Sequence, residues 1–160
     1  MPLSSAFDAT APCENGMWVV ADKAAGEITP PSAVTDKLIG IVYTTEKEYD
    51  SYHIGLQNFH QVAGQYPRVG HLSVGDTVTT NCLQYNTSNF ADAAAIDTWF
   101  ATPTNVAYVV IPASTTLSKA IPELVKTLPA NYAGTYGKVV KYYTMPNGEK
   151  GIKYQIVALG

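Results

Sequence analysis

Charged side chains are scarce in this sequence, and arginine is almost absent. Asp, Glu, Lys and Arg make up 14 % of the 160 residues, against about 25 % in a typical globular domain. Arg68 is the single arginine, and the lysines form no basic run. Proteins that bind nucleic acid through its phosphates need clustered Lys and Arg. The sequence therefore predicts no nucleic-acid partner.

Long apolar runs are also missing. No stretch of about 18 apolar residues is present, so no membrane-spanning helix is predicted. Residues 1–5 lack the basic and apolar parts of a secretory signal, which predicts that the protein is not exported. The two cysteines, Cys13 and Cys82, could pair, but without export we expect reduced, buried or half-buried thiols.

The spacings used by metal sites and nucleophilic enzymes are absent as well. His53, His60 and His71 are too far apart to form a zinc ligand pair, and no Gly-x-Ser-x-Gly elbow occurs. Glu46 and Glu48 would share one face of a strand, as a glycosidase pair could, but a solvated charge cluster explains them better. We predict no enzymatic activity, no metal ion and no cofactor.

What the sequence does contain is typical of a folded, β-rich domain. Hydrophobic residues make up 46 % of the chain, too many for a disordered one. Short runs of apolar and β-branched residues, bounded by Gly, Pro or Asp, predict strands. The predicted strands are residues 17–21, 38–45, 106–111, 137–145 and 152–159, with a further strand beginning after the Gly75-Asp76 turn.

Other local signals complete the predicted fold. Asn147-Gly148 is a strong hairpin signal, residues 90–100 contain good helix formers, and residues 118–127 fit a short helical turn. We predict a mainly β protein, a small β-barrel or β-sandwich with long loops and one or two short helices. Residues 1–16 are predicted to be an extended N-terminal arm, and residues 17–160 a single domain.

An aromatic segment stands out in the middle of the chain. Residues 46–70 show no clear periodicity and carry Tyr49, Tyr52, Phe59 and Tyr66 among polar residues. Such rings either pack beneath their own loop or supply rigid contact area to a partner. Stacking on single-stranded nucleic acid is a third interpretation, and the lack of positive charge argues against it.

Two motifs resemble a known family. Residues 38–42 read Leu-Ile-Gly-Ile-Val, and residues 72–78 read Leu-Ser-Val-Gly-Asp-Thr-Val. They are similar to the "I-G-I/V" strand and the "hydrophobic-x-x-G-D-x-V" turn of the small β-barrel decoration or cement proteins of tailed-bacteriophage heads. The resemblance covers roughly the first half of the chain and the hairpin at residues 138–159. Residues 46–66 and 86–135 have no counterpart in it.

The resemblance implies a structural virion protein that is made in the host cytoplasm and binds the outer surface of an assembled capsid. Its partner would be the major capsid protein, and it would be a homo-oligomer, with a trimer favoured. Binding the assembled shell and not its dissociated subunits would stabilise the shell by mass action. The predicted contact residues lie in the arm and the aromatic segment: Phe7, Trp18, Tyr49, Tyr52, Phe59, Tyr66 and Arg68.

An alternative hypothesis is a carbohydrate-binding or fibre-like β-domain used for surface attachment. Exposed aromatic rings can stack on sugar rings, and Trp18 and Trp99 would then form the platform.

Overall fold

A computed structural model describes most of the chain, in the following residues: 8–9, 13–22, 24–31, 34, 36, 38–44, 64, 66–112, 117 and 120–160. The described residues form two five-stranded sheets and a short helix.

The first sheet is built from the N-terminal half of the chain. Its strands are β1 (Asp8–Ala9), β2 (Trp18–Asp22), β3 (Glu27–Thr29), β4 (Gly40–Val42) and β5 (Val69–His71). Their order across the sheet is β1-β3-β2-β4-β5. Neighbouring strands are antiparallel, except that β1 runs parallel to β3.

The second sheet is built from the remaining strands. These are β6 (Thr77–Thr80), β7 (Tyr108–Val110), β8 (Glu123–Val125), β9 (Tyr136–Thr144) and β10 (Lys150–Ala158), and helix α1 (Ala93–Phe100) lies between β6 and β7 in the chain. The strand order is β6-β10-β9-β7-β8, and every neighbouring pair is antiparallel.

The predicted fold class is confirmed: the protein is mainly β, and its described residues contain a single short α-helix. The sheets are not closed into a barrel. Instead they share a core, to which the first sheet contributes Trp18 and the second contributes Val109, Ile152 and Tyr154. The Trp18 Nε1–H donates to Tyr154 Oη over 3.0 Å, so a hydrogen bond joins the sheets inside this core.

A second apolar cluster covers the other face of the first sheet. It includes Cys13, Val19, Val42, Val69 and Cys82. Residues along β2 therefore alternate between two buried environments, because Trp18 belongs to the shared core and Val19 to the second cluster. A strand buried on both faces reads as an uninterrupted apolar run, which explains the sequence of residues 17–21.

Both cysteines are free and buried in this second cluster, as expected for reduced thiols. Burial is the main cause that raises the pKa of Cys13 to about 11 and the pKa of Cys82 to about 12. The thiols are therefore protonated at neutral pH, which suits packing and not nucleophilic chemistry.

The hairpin and the helix confirm two local predictions. Gly148 has a φ of +88°, and Met145 N–H donates to Glu149 O over 2.7 Å, which closes the turn between β9 and β10. Asp92 is the N-cap of α1, because its side chain accepts a hydrogen bond of 2.8 Å from Ala95 N–H.

The helical turn predicted for residues 118–127 is wrong where the structure describes it, because residues 123–125 form β8. All three of its residues are buried, and they pair with β7. On the other side of β8, Leu124 N–H donates to Gln84 O over 2.8 Å. Pairing on both sides outweighs the weak local helical signal.

The described part of the predicted extended arm, residues 1–16, is held against the domain. Asp8–Ala9 pairs with β3, and Cys13 is 0 % exposed. Gly16 N–H donates to Val42 O over 2.8 Å. Gly16 has a φ of +98°, and a Cβ there would lie 2.7 Å from Thr80 Oγ1. Sheet pairing and close packing thus tie this segment to the domain.

Candidate interaction surface

The aromatic segment follows β4 in the chain and leads into β5, and these two strands pair with each other. β4 and β5 pair through Val42 and Val69, and the pairing continues beyond the strand ends. Tyr43 N–H donates to Arg68 O over 3.0 Å, and Arg68 N–H donates to Thr44 Oγ1 over 2.8 Å. The backbone on both sides of residues 45–65 is therefore fixed by hydrogen bonds.

Two glycines allow these strands to pack closely. A Cβ on Gly40 would lie 2.4 Å from Val69 Cγ1, and a Cβ on Gly70 would lie 3.0 Å from Tyr43 Cε1. The ring of Tyr43 lies across Gly70. This packing holds the Tyr43 ring against the strand while part of it faces solvent.

Three large side chains are exposed at this place. Tyr66 is 60 % exposed and Tyr43 is 44 % exposed, and Arg68 is exposed as well. Tyr43 and Arg68 occupy opposite positions at the end of the β4–β5 pair. We call Tyr43, Tyr66 and Arg68 the neck surface. Tyr and Arg are residue types enriched at the energetic centres of protein interfaces.

The structure brings together two of the predicted contact residues and adds one. Tyr66 and Arg68 both belong to the neck surface, as does Tyr43, which sequence reasoning assigned only to a strand. No local sequence signal distinguished Tyr43, because its place beside Arg68 depends on the pairing of β4 with β5. The other ring-bearing candidates fall outside the described residues: Phe7, Tyr49, Tyr52 and Phe59. The same holds for His53, His60, Glu46 and Glu48.

Trp18 is not a surface residue, so its prediction as a contact residue is wrong. It is 0 % exposed because it fills the shared core, with its ring centroid 6.1 Å from that of Tyr154. A ring in this position stabilises the fold and cannot touch a partner.

The predicted platform of two tryptophans is also wrong, because Trp99 lies in a different environment from Trp18. Trp99 is half-buried and donates from Nε1 to Val106 O over 3.2 Å. Its ring meets the edge of Phe90 at 6.4 Å between centroids, and Lys126 Nζ lies 5.1 Å from its centroid. The two indoles do not form a common exposed surface for a sugar.

Within the ranges that the structure describes, no group of three or more His, Cys, Asp or Glu side chains could hold a metal ion. No helix in those same ranges is long and apolar enough to cross a membrane.

The fold and the surface together define a mainly β protein with two sheets around a shared core and exposed Tyr and Arg side chains at the end of the β4–β5 pair. Comparisons of the chain with protein-family models, with curated proteins and with solved structures find no match.

Proposed function

We propose that this protein is a structural binding protein that docks onto another protein through its neck surface. The observation that carries this proposal is the exposure of Tyr43 and Tyr66 beside the single arginine of the chain. Tyr rings give large contact areas at a small cost in conformational entropy. A surface with these side chains is suited to being covered by a partner.

The rigidity of the neck adds to this argument. Hydrogen bonds fix the backbone of Tyr43 and Arg68, and Asn15 Nδ2 donates to Thr44 O over 2.9 Å. Binding a partner then requires less ordering of the backbone here, and preorganisation of this kind increases affinity.

For the partner we propose the major capsid protein on the outside of an assembled phage head. This choice is supported by the resemblance of residues 38–42 and 72–78 to head decoration proteins. In that role the protein would act without catalysis, as part of the virion. It would bind assembled shells more tightly than free subunits and so oppose their dissociation.

Co-sedimentation with assembled heads of the phage that encodes the chain tests this proposal. We expect the wild-type protein to pellet with heads and to remain in solution with unassembled capsid subunits. The Tyr43→Ala/Tyr66→Ala variant should bind at least about tenfold more weakly, since losing an interface centre typically costs about 2 kcal/mol or more.

The matched control is Tyr85→Ala, which removes a ring that is 40 % exposed outside the neck surface. It should bind like the wild type. If the folded wild-type protein ignores assembled heads, the capsid is not its partner. If it binds and both variants bind equally well, the neck surface is not the contact.

A further inference from the structure

The outer face of the second sheet carries three exposed lysines, Lys138, Lys141 and Lys153. Strand β10 alternates between buried Ile152, Tyr154 and Ile156 and exposed residues. The exposed positions pair in register with exposed positions on β6 and β9. We call this surface the lysine face; its residues are Thr77, Thr79, Lys138, Lys141, Tyr143, Lys153 and Gln155.

Two of these lysines are directly opposite each other. Lys153 pairs with Lys141 on one side and with Thr79 on the other. Like charges in opposite positions destabilise a sheet, and no carboxylate among the described residues forms an ion pair with either lysine. Lys141 Nζ lies 5.6 Å from the Tyr143 ring centroid. The stability of a single copy does not explain this pair of charges.

Two β-bulges add apolar contact area next to the lysines. The register between β9 and β10 shifts between Lys153 and Tyr154 and again between Ile156 and Ala158. These shifts leave Val140 and Val157 without a partner, and they are 61 % and 41 % exposed. Exposed valines among lysines can be buried when another protein covers the face.

A pair of like charges with the opposite sign lies on the first sheet. Asp22 on β2 is directly opposite Glu27 on β3, and neither forms an ion pair with a described residue. Asp22 also accepts from Ala24 N–H over 2.9 Å, which gives one of its oxygens a local role. Glu27 makes no such bond within the part of the chain that the structure describes, so a nearby cation would stabilise this pair.

The charge of the chain is divided in the same way. Residues 136–160 contain four lysines and one glutamate, a net charge of +3, and residues 1–135 contain six basic and twelve acidic residues, a net charge of −6; together they give the −3 of the whole chain. The C-terminal segment is thus basic, and the rest of the chain is acidic.

We propose that the lysine face of one copy binds the Asp22–Glu27 pair of a second copy. Each contact neutralises two pairs of like charges and covers the exposed valines. The two surfaces differ, so the association is heterologous, and it closes into a ring or continues as a filament. The proposed interface is independent of the neck surface and of a capsid partner.

Sedimentation velocity of the purified full chain, over a range of concentrations and salt, tests the proposal. We expect the wild type to associate at low salt and to dissociate toward about 0.5 M salt, as screening shortens the range of the charges. Lys141→Glu/Lys153→Glu and Asp22→Asn/Glu27→Lys should each raise the dissociation constant at least about tenfold. Asp22→Asn keeps a side-chain oxygen that can accept the hydrogen bond from Ala24 N–H.

Mixing the two variants should restore association. The unchanged Asp22–Glu27 pair of Lys141→Glu/Lys153→Glu can bind the unchanged lysine face of Asp22→Asn/Glu27→Lys, and the two altered surfaces also carry opposite charges. Thr102→Glu/Thr104→Glu, which adds two negative charges at exposed positions elsewhere, should leave association unchanged. A wild type that is monomeric throughout, or an oligomer that neither reversal weakens, would overturn the proposal. Monomeric wild type that binds poly-glutamate would overturn it too and would indicate a different acidic partner.

Discussion

At the scale of single residues, a polar contact inside the core joins the two sheets. Trp18 is 0 % exposed, and its Nε1–H has Tyr154 Oη as its partner at 3.0 Å. Burial also raises the pKa of Tyr154 well above its ordinary value, so the hydroxyl stays neutral. A buried donor that loses its partner costs about 1–3 kcal/mol.

Tyr154→Phe should therefore lower the free energy of unfolding by about 1–3 kcal/mol, because it keeps the ring and leaves the indole N–H of Trp18 unpaired. Urea denaturation followed by tryptophan fluorescence measures this change. Tyr85→Phe is the control, since it removes a hydroxyl from a ring that is 40 % exposed. Equal stability of Tyr154→Phe and the wild type would show that the hydrogen bond contributes nothing.

The two cysteines give a second prediction at this scale. Cys13 and Cys82 are buried, and burial raises their pKa values to about 11 and about 12. We expect both thiols to resist a thiol-reactive dye in the native protein at mildly alkaline pH, and to react at once in denaturant. Rapid labelling of the native protein would contradict the packing of the second cluster.

At the scale of elements, β8 carries a charged group in an unfavourable place. Glu123 is 9 % exposed and accepts a hydrogen bond from Asn86 Nδ2, yet burial raises its pKa above the ordinary value of 4.5. The folded state thus favours the protonated carboxyl. The protonated Glu123 carboxyl stabilises the fold fully at pH values below the pKa of this group in the unfolded chain. This contribution is lost as the pH rises through the pKa of the group in the folded protein.

Glu123→Gln cannot ionise and keeps an acceptor for Asn86. Its free energy of unfolding relative to the wild type should rise from about pH 4 to about pH 7, because only the wild type bears the cost of a buried charge at the higher pH. Denaturant titrations at several pH values measure it. Glu149→Gln is the matched control, an exposed carboxylate that also accepts from an asparagine amide. If this difference in the free energy of unfolding falls as the pH rises, the conclusion that burial raises the pKa of Glu123 is contradicted.

Several elements could be predicted from sequence because their signals are local. The Asn147-Gly148 hairpin depends on a φ of +88° at Gly148, and the Gly75-Asp76 turn depends on Asp76 Oδ2 accepting from Ser73 N–H over 2.8 Å. β8 was missed because its stability comes from β7 and Gln84, which are distant in the chain. The order of the strands in each sheet also depends on contacts between distant parts of the chain, so no local sequence pattern predicts it.

At the scale of the whole molecule, the candidate site was only partly predictable. The sequence predicted Tyr66 and Arg68 as contact residues, since both residue types favour interfaces, and both are exposed. It could not separate a buried indole from an exposed one, and Trp18 was therefore misassigned; its burial depends on the second sheet supplying Tyr154. Tyr43 became part of the site only through the register of β4 with β5.

We propose that the neck surface is covered when the protein binds an assembled head. Hydroxyl-radical footprinting of the protein, free and bound to assembled heads, tests it by measuring the oxidation of individual tyrosines. We predict that Tyr43 and Tyr66, which are 44 % and 60 % exposed in the free protein, lose most of their oxidation on binding, while Tyr85 keeps its own. Unchanged oxidation of Tyr43 and Tyr66 in the bound protein would contradict the claim.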